Sequence, residues 1–467
     1  MEKLKVFSMF DGVGGFIHGL HNANPDIFNV VYSNQFEPSR KSQDAFEVGV
    51  QYFGDSIIHD NRDVMTLEKA DFDKIKDLGV NMIVGGFPCQ DYSVARSKKD
   101  EAGIQGKKGV LFWSIIEATK VIQPKYLVLE NVDRLLKSPS KQRGRDFAIM
   151  LGAFNKLGYS VEWRVINAAD YGRAQRRRRV FFFVYKNDTD WAKQIDTTFE
   201  HNQLMDPRPI NEPMIEESLY DDYIFETGLF ARQFPVENKL KYDGRRARQY
   251  SAWLGEDLEW DDYILNISEN FTGTIWNTGI MRHGRYFTID TTPVQEDPIT
   301  LGEVVQKAKA YYINKNGEAA YEEYIKNYWI TDEEKRAKFD YLRGAKKIER
   351  TTAEGHPWIY SEGGMSPYDS FDLPARTMLT SEGSVNRSTH YLLDNGHYRL
   401  LTPIEAELLQ DFPEDSTRWK QDSEGNKVEV SDRMRYFFMG NALVTGIVKR
   451  IGEGMVRFIE NTQRENQ

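Results

Sequence analysis

Pro88-Cys89-Gln90 carries the only cysteine among 467 residues, and it follows the apolar run Met82-Ile83-Val84-Gly85-Gly86-Phe87. A lone cysteine is in most proteins a small buried hydrophobe. Here the thiol stands where a short buried strand gives way to a polar, Gly- and Lys-rich loop, Asp91 to Gly109, which is where α/β folds place chemistry. A thiol at such an edge can act as a nucleophile. Leu127-Val128-Leu129 runs into Glu130-Asn131-Val132, which puts a carboxylate at another strand's end, and Gln175-Arg176-Arg177-Arg178-Arg179 leads into the apolar run Val180 to Val184. Singly, Glu130 reads equally well as a helix cap and the arginines as a solvated charge run. Together, a thiol, a carboxyl group and guanidinium groups at one sheet edge suit nucleophilic addition with a proton donor and charge stabilisation close by.

Phe10-Asp11-Gly12-Val13-Gly14-Gly15-Phe16 is a glycine turn that closes the first strand and opens a helix. Missing Cβ atoms let a nucleotide or nucleoside approach the backbone there, although glycines also mark plain turns. The third glycine of a dinucleotide fingerprint would fall at Ile17, which weakens a pyrophosphate-binding reading.

Alternating periods predict the elements that hold these groups. Strands are expected at Leu4 to Phe10, Phe28 to Ser33, Met82 to Gly85, Tyr126 to Glu130 and Val180 to Tyr185. Helices are expected from the glycine turn to about Asn24 and over Pro38 to Val48, Val110 to Ile122 and Asp146 to Lys156. This is βαβ grammar and implies an α/β fold with a mostly parallel sheet covered on both faces. From 187 to 398 the regularity dissolves into short β-like runs, aromatics and turns, with a helical stretch expected from Leu301 to Arg350. Order returns with helices at Pro403 to Gln410 and Ala442 to Glu460.

A chain with 40% hydrophobic and 13% aromatic residues can bury a large core and divide into two domains. One cysteine excludes intramolecular disulfides and a Cys-rich zinc site, so a reducing compartment fits. The start, Met1 to Lys5, has no signal-peptide architecture and no apolar stretch approaches a membrane span, so a cytoplasmic protein with no membrane partner is expected. The net charge of −10 argues mildly against a nucleic-acid partner, yet the basic residues gather within the first 180 positions.

The ordered motifs resemble the DNA (cytosine-5)-methyltransferase family of the bacterial restriction-modification type. They are FxGxGG at Phe10 to Gly15, PCQ at Pro88 to Gln90, ENV at Glu130 to Val132, QxRxR at Gln175, Arg177 and Arg179, RLLTPIEAELLQDFP at Arg399 to Pro413, and GNALV at Gly440 to Val444. The resemblance covers about residues 1–186 and 399–460. It implies a doubly wound sheet of the S-adenosylmethionine-dependent methyltransferase type, built from residues 1–186 and 399–467, and a second, irregular target-recognition domain at 187–398.

The resemblance also implies roles. Cytosine C5 is a poor nucleophile, so Cys89 would first add to C6 of a cytosine swung out of duplex DNA. Glu130 would bring the proton for N3, and Arg177 and Arg179 would hold the base oxygen and its phosphate, with Arg179 on the O2 side. S-adenosyl-L-methionine would be the methyl donor, in a pocket lined by Phe10, Gly12, Gly14, Pro88, Leu111, Asn441 and Leu443, with Asp63 at the adenine and Phe36 packed on it. Many relatives end the second strand with an acid that binds the ribose hydroxyls. Gln35 stands there instead, so weaker or differently arranged binding is expected.

Gln90, Ser93, Lys98 and Lys99 belong to the 91–109 loop expected to close behind the flipped base. Gln175, Arg376, Ser381 and Arg387 are further candidate DNA contacts. Double-stranded DNA, a cognate restriction endonuclease acting on the same site, no metal and a monomeric state complete the expectation. A transfer-RNA cytosine-5 methyltransferase shares the catalytic motifs but has a compact middle domain. A catalytically silent DNA-binding regulator would not need Cys89, Glu130 and Gln175 to Arg179 intact, and an NAD-type oxidoreductase lacks any hydride-transfer site here.

Overall fold

The computed structural model describes residues 3–87, 111–201, 223–238, 248–255, 258–352 and 355–465. The apolar runs of the first half form β1 (Leu4–Met9), β2 (Phe28–Asn34), β3 (Ile58–Asp60), β4 (Met82–Gly86), β5 (Tyr126–Val132), β6 (Tyr159–Asn167) and β7 (Arg178–Lys186). A short β8 (Val236–Asn238) precedes β9 (Gln249–Trp253), β10 (Thr278–Arg282) and β11 (Arg285–Ile289), and β12 (Thr291–Pro293) pairs back onto β8. One sheet joins ten of these strands in the order β3-β2-β1-β4-β5-β7-β6-β10-β11-β9.

Neighbours from β3 to β5 pair in parallel, whereas β5-β7, β7-β6, β6-β10, β10-β11 and β11-β9 are antiparallel. By these pairings β7, β9 and β10 run against the other strands, so the sheet is mixed in pairing and mostly parallel in direction. The order reverses between β1 and β4. The crevice at such a reversal, beyond the strands' carboxyl ends, is where doubly wound sheets bind ligands.

Both faces are buried, as expected for strands written in Val, Ile, Leu and Phe. One face packs under the helices Leu111–Ile122, Arg145–Lys156 and Trp260–Asn270, and the other under Gly15–Ala23, Leu229–Gln233 and Thr445–Glu465. The C-terminal helix lies directly on the first one. A Cβ at Gly19 would come within 2.5 Å of Val448.

Several elements depart from the expectations. β6 was not anticipated, because Glu162 and Arg164 interrupt its apolar pattern. Both are buried, and both are satisfied by the segment that covers them. Glu162 accepts from the Tyr223 hydroxyl at 2.9 Å and from the Leu229 and Phe230 amides at 3.1 Å. Arg164 donates to the carbonyls of Ile224, Phe230 and Phe234. Within residues 249–289, expected among the irregular middle of the chain, β10 hydrogen-bonds onto β6, and β11 and β9 extend the sheet beyond it.

The stretch Leu301 to Arg350 is not one helix. It divides into Leu301–Asn316, Glu318–Lys326 and Glu333–Arg343 and then turns into β13 (Lys346–Thr351), which pairs with β14 (Pro357–Glu362). Gly317, with φ of 93°, separates the first two helices, and Asp332 caps the third through the Glu334 amide at 2.9 Å. The helix expected at Pro38 starts at Asp44, and that expected at Ala442 starts at Thr445, after a separate helix Asp432–Asn441. The helix Pro403–Leu409 begins with a Thr402/Glu405 capping box and packs against Leu301, Val304 and Val305.

Candidate active site

β4 and β5 end side by side at the carboxyl ends of the parallel strands, with Gly86 in register with Glu130. A Cβ at Gly86 would stand 3.1 Å from Glu130 Oε2, so glycine at this position makes room for the carboxyl group. From the neighbouring β7, Arg179 Nε meets Glu130 Oε1 at 2.8 Å, both side chains being largely buried. Burial raises the Glu130 carboxyl above the usual range, against the opposite pull of Arg179 and Arg177. A carboxyl so placed holds its proton to higher pH than a free glutamate while an adjacent cation sets its orientation.

Cys89 lies three residues beyond the end of β4. Pro88, Cys89, Gln90, Ser93, Lys98, Lys99 and the whole 91–109 loop fall outside the described residues. The approach to them is held, however. Asn131, fully buried beside Glu130, donates from Nδ2 to the Phe87 carbonyl at 2.9 Å and accepts from the Val132 amide at 2.8 Å. The ENV motif places Asn131 next to Glu130 but by itself assigns it no role. Its place between Glu130 and the strand leading to Cys89 was the available signal, as was the Gly85-Gly86 pair.

Arg177 was expected on the base or its phosphate. Its guanidinium is instead buried and donates to the carbonyls of Met378 and Gly440, each at 3.0 Å. Burial, reinforced by Arg179 and offset by Glu130, brings it down to about 9, so it stays protonated at neutral pH. Gln175, expected on DNA, is fully buried, donates to the Leu409 carbonyl at 3.1 Å and accepts from the Met378 amide at 2.9 Å.

Arg376 and Arg387 are likewise occupied internally. Arg376 Nε binds Asp369 at 2.6 Å, and Arg387 donates to the Leu342 carbonyl at 2.8 Å and to that of Gly363. Buried or half-buried backbone carbonyls need donors, and these side chains supply them. Ser381 is exposed, in a turn where its hydroxyl accepts from Asn386. Arg176 and Arg178, in contrast, point outward. Arg178 keeps a side-chain exposure of 60% while pairing with Asp133 at 3.1 Å.

The glycine turn lies at the order reversal. Phe10, Gly12 and Gly14 all have positive φ, at 55°, 60° and 85°. Nothing stands within 4 Å of where a Gly12 Cβ would be, which leaves an open cradle. Gln35 reaches this turn and accepts from the Gly12 amide through Oε1 at 2.7 Å, so its Nε2 donor is the part left for a ligand. Phe36 is half-buried beyond it. Asp63 accepts from the Met65 amide at 3.0 Å with Oδ1, and Leu111 is half-buried at the start of its helix. Leu443 is buried against Gly15, whereas Asn441 is exposed. Asp11, within the turn, is buried and accepts from the Ser8 hydroxyl at 2.5 Å, and burial pushes its carboxyl up to about 7. Among the described residues, an open glycine cradle with a side-chain amide donor and no cluster of cations beside it suits a nucleoside better than a pyrophosphate.

Among the described residues, no group of three or more His, Cys, Asp or Glu side chains could hold a metal ion, and no helix is long and apolar enough to cross a membrane.

The family model for C-5 cytosine-specific DNA methylase matches residues 4–457. The chain belongs to that family. The DNA cytosine-5 methyltransferase described here is 47% identical over 465 residues to the type II methyltransferase M.Sau3AI of Staphylococcus aureus, a match that spans 100% of this chain and 98% of that enzyme. It is 30% identical over 246 residues to M.DdeI of Desulfomicrobium norvegicum, covering 51% of this chain and 54% of that one. With M.HhaI of Haemophilus parahaemolyticus it shares 27% over 219 residues, 47% and 60% of the two chains. The first match runs through the middle of the methyltransferase as well as its ends, whereas each of the other two covers about half of it.

Proposed function

We propose that this methyltransferase modifies cytosine at C5 within one short word of duplex DNA, using Cys89 as nucleophile, Glu130 as proton carrier and Arg179 as the group that holds the base. The observation that carries the reading is the Glu130–Arg179 pair at the sheet edge beside the strand that leads to Cys89. The target cytosine leaves the stack at a cost of a few kcal/mol. The Cys89 thiolate forms a bond to C6 while Glu130 places its proton at N3, so the ring's added electron density gathers at C5 rather than as a buried negative charge. S-adenosylmethionine, when bound, would supply the methyl group that C5 takes, with S-adenosylhomocysteine as the leaving thioether. Water then takes the C5 proton, the N3 proton returns to Glu130, and the C6–S bond breaks to release the Cys89 thiolate and restore the aromatic ring.

Phe10, Gly12, Gly14, Phe36, Asp63, Pro88, Leu111, Asn441 and Leu443 form the cofactor site in this reading, with Gln35 donating to the ribose hydroxyls. Gln90, Ser93, Lys98 and Lys99 act on the DNA. Arg177 and Gln175 are positioning residues that anchor the entry to β7 to later parts of the chain, a role supported by their buried bonds to Met378, Leu409 and Gly440. The catalytic body then comprises the chain to about residue 293 together with 399–465, and 301–398 form the target-recognition part. The enzyme acts as a cytoplasmic monomer and protects the word cut by a cognate restriction endonuclease.

Bisulfite sequencing of DNA from a methylation-deficient bacterium expressing the chain, with a Cys89→Ser control, tests the reading. Protected cytosines in one sequence context, absent in the control, are expected. Uniform conversion despite folded protein refutes it.

A further inference from the structure

β13 and β14 form a two-stranded ribbon that is exposed along most of both faces. Such a ribbon is marginal on its own and presents Ile348, Trp358 and Ile359 to solvent at 37%, 44% and 60% exposure. Its register sets Lys346, Ile348 and Arg350 opposite Glu362, Tyr360 and Trp358 on one face. There the Arg350 guanidinium lies 4.4 Å from the centre of the Tyr360 ring and 5.9 Å from that of Trp358, and those two rings meet edge to face at 6.1 Å. Among the described residues no carboxylate or carbonyl pairs with Arg350, although cations at the ribbon's root are consumed. Lys346 faces Glu362 at 3.6 Å, and Arg387 reaches Glu362 at 3.3 Å.

We propose that this ribbon enters the major groove of the substrate DNA and that Arg350 reads a guanine there. The inference rests on the chain acting on duplex DNA. A two-stranded ribbon fits the major groove, and a guanidinium makes paired hydrogen bonds to guanine O6 and N7. Its position over the Tyr360 ring restrains the guanidinium, so little further order is lost on contact.

The ribbon is also tied to the catalytic edge. Arg343, buried at its root, binds Asp369 at 2.6 Å, and Asp369 holds Arg376. The adjoining Ala375 exchanges backbone hydrogen bonds with Ala174 and Arg176, each at 2.8 Å, immediately before Arg177 and Arg179. A ribbon so rooted can fix the distance between a base read in the groove and the cytosine brought to Glu130.

The full-length protein and its Arg350→Ala and Tyr360→Ala variants are to be assayed for methyl transfer to duplexes in which each position of the word is varied singly. The unaltered chain is expected to require one guanine besides the partner of the target cytosine. Arg350→Ala should lower that requirement by about tenfold or more at that position alone, and Tyr360→Ala should lower it there to a smaller extent. Arg350→Ala that keeps the full preference at every guanine, or that loses rate equally on all duplexes, overturns the inference while leaving the functional reading intact. Absence of methylation by the unaltered chain overturns both.

Discussion

Arg179 Nε stands 2.8 Å from Glu130 Oε1, across two adjacent antiparallel strands, at a point where burial and the arginine act on the carboxyl in opposite directions. Burial wins, and the proton is retained to higher pH than on a free glutamate. The rate of methyl transfer should therefore fall as pH rises through the Glu130 titration. Removing the cation in Arg179→Ala should shift that alkaline limb to higher pH, because Arg179 favours the ionised form, while lowering the maximal rate by about 10²- to 10³-fold. Single-turnover pH profiles of the two proteins check both effects, and a limb that moves to lower pH contradicts the arrangement.

Glu130→Gln keeps the shape and loses the transferable proton. Methyl transfer should slow by about 10²- to 10⁴-fold with DNA affinity nearly unchanged. Gel-shift titration alongside the rate measurement separates the two.

Asn131 holds the Phe87 carbonyl two residues before Cys89. In Asn131→Ala that carbonyl and the Val132 amide lose their partner, at a cost of about 1–3 kcal/mol in stability. A positioning role further requires kcat to drop while KM for DNA stays within a few fold. Lowered melting temperature with unchanged kcat would mark Asn131 as structural only.

Burial raises the Asp11 carboxyl from 3.8 to about 7, so the folded state binds this proton more tightly than the unfolded chain. Its contribution to stability is complete below about pH 3.8 and is lost as pH rises through about 7. Asp11→Asn removes the titration. The melting temperature of the variant should gain on the parent between pH 4 and pH 7, by an amount that corresponds to a few kcal/mol, and then hold steady. Thermal melts across that range test the sign.

Gln175→Ala should destabilise the fold without altering the salt dependence of DNA binding, since the side chain is buried between Leu409 and Met378. Arg176→Ala, which removes an exposed cation from the same segment, should leave stability nearly unchanged and reduce the salt slope by about one. Fluorescence anisotropy at several salt concentrations distinguishes the two residues.

The parts that were legible before the structure share a cause. β1, β4 and β5 are short apolar runs that end in chemically marked residues, and burial on both faces writes itself into sequence as an unbroken hydrophobic stretch. β6 was illegible because Glu162 and Arg164 are core residues whose partners come from a segment more than 55 positions later. Gln175, Arg376 and Arg387 looked like phosphate donors by type alone. Whether an arginine faces a phosphate or a carbonyl is decided by tertiary packing, which residue type does not report. Gln35 stood where expected, but its bond to Gly12 could not be read from spacing.

The anchoring of Arg177 to Met378 and Gly440 spans separations of 201 and 263 residues. During synthesis the entry to β7 therefore emerges long before either partner. Contacts that distant in sequence close late. A nascent chain that has not yet reached Met378 and Gly440 would hold the motif for the chemistry without the seat that aligns it, so the alignment waits for both later segments.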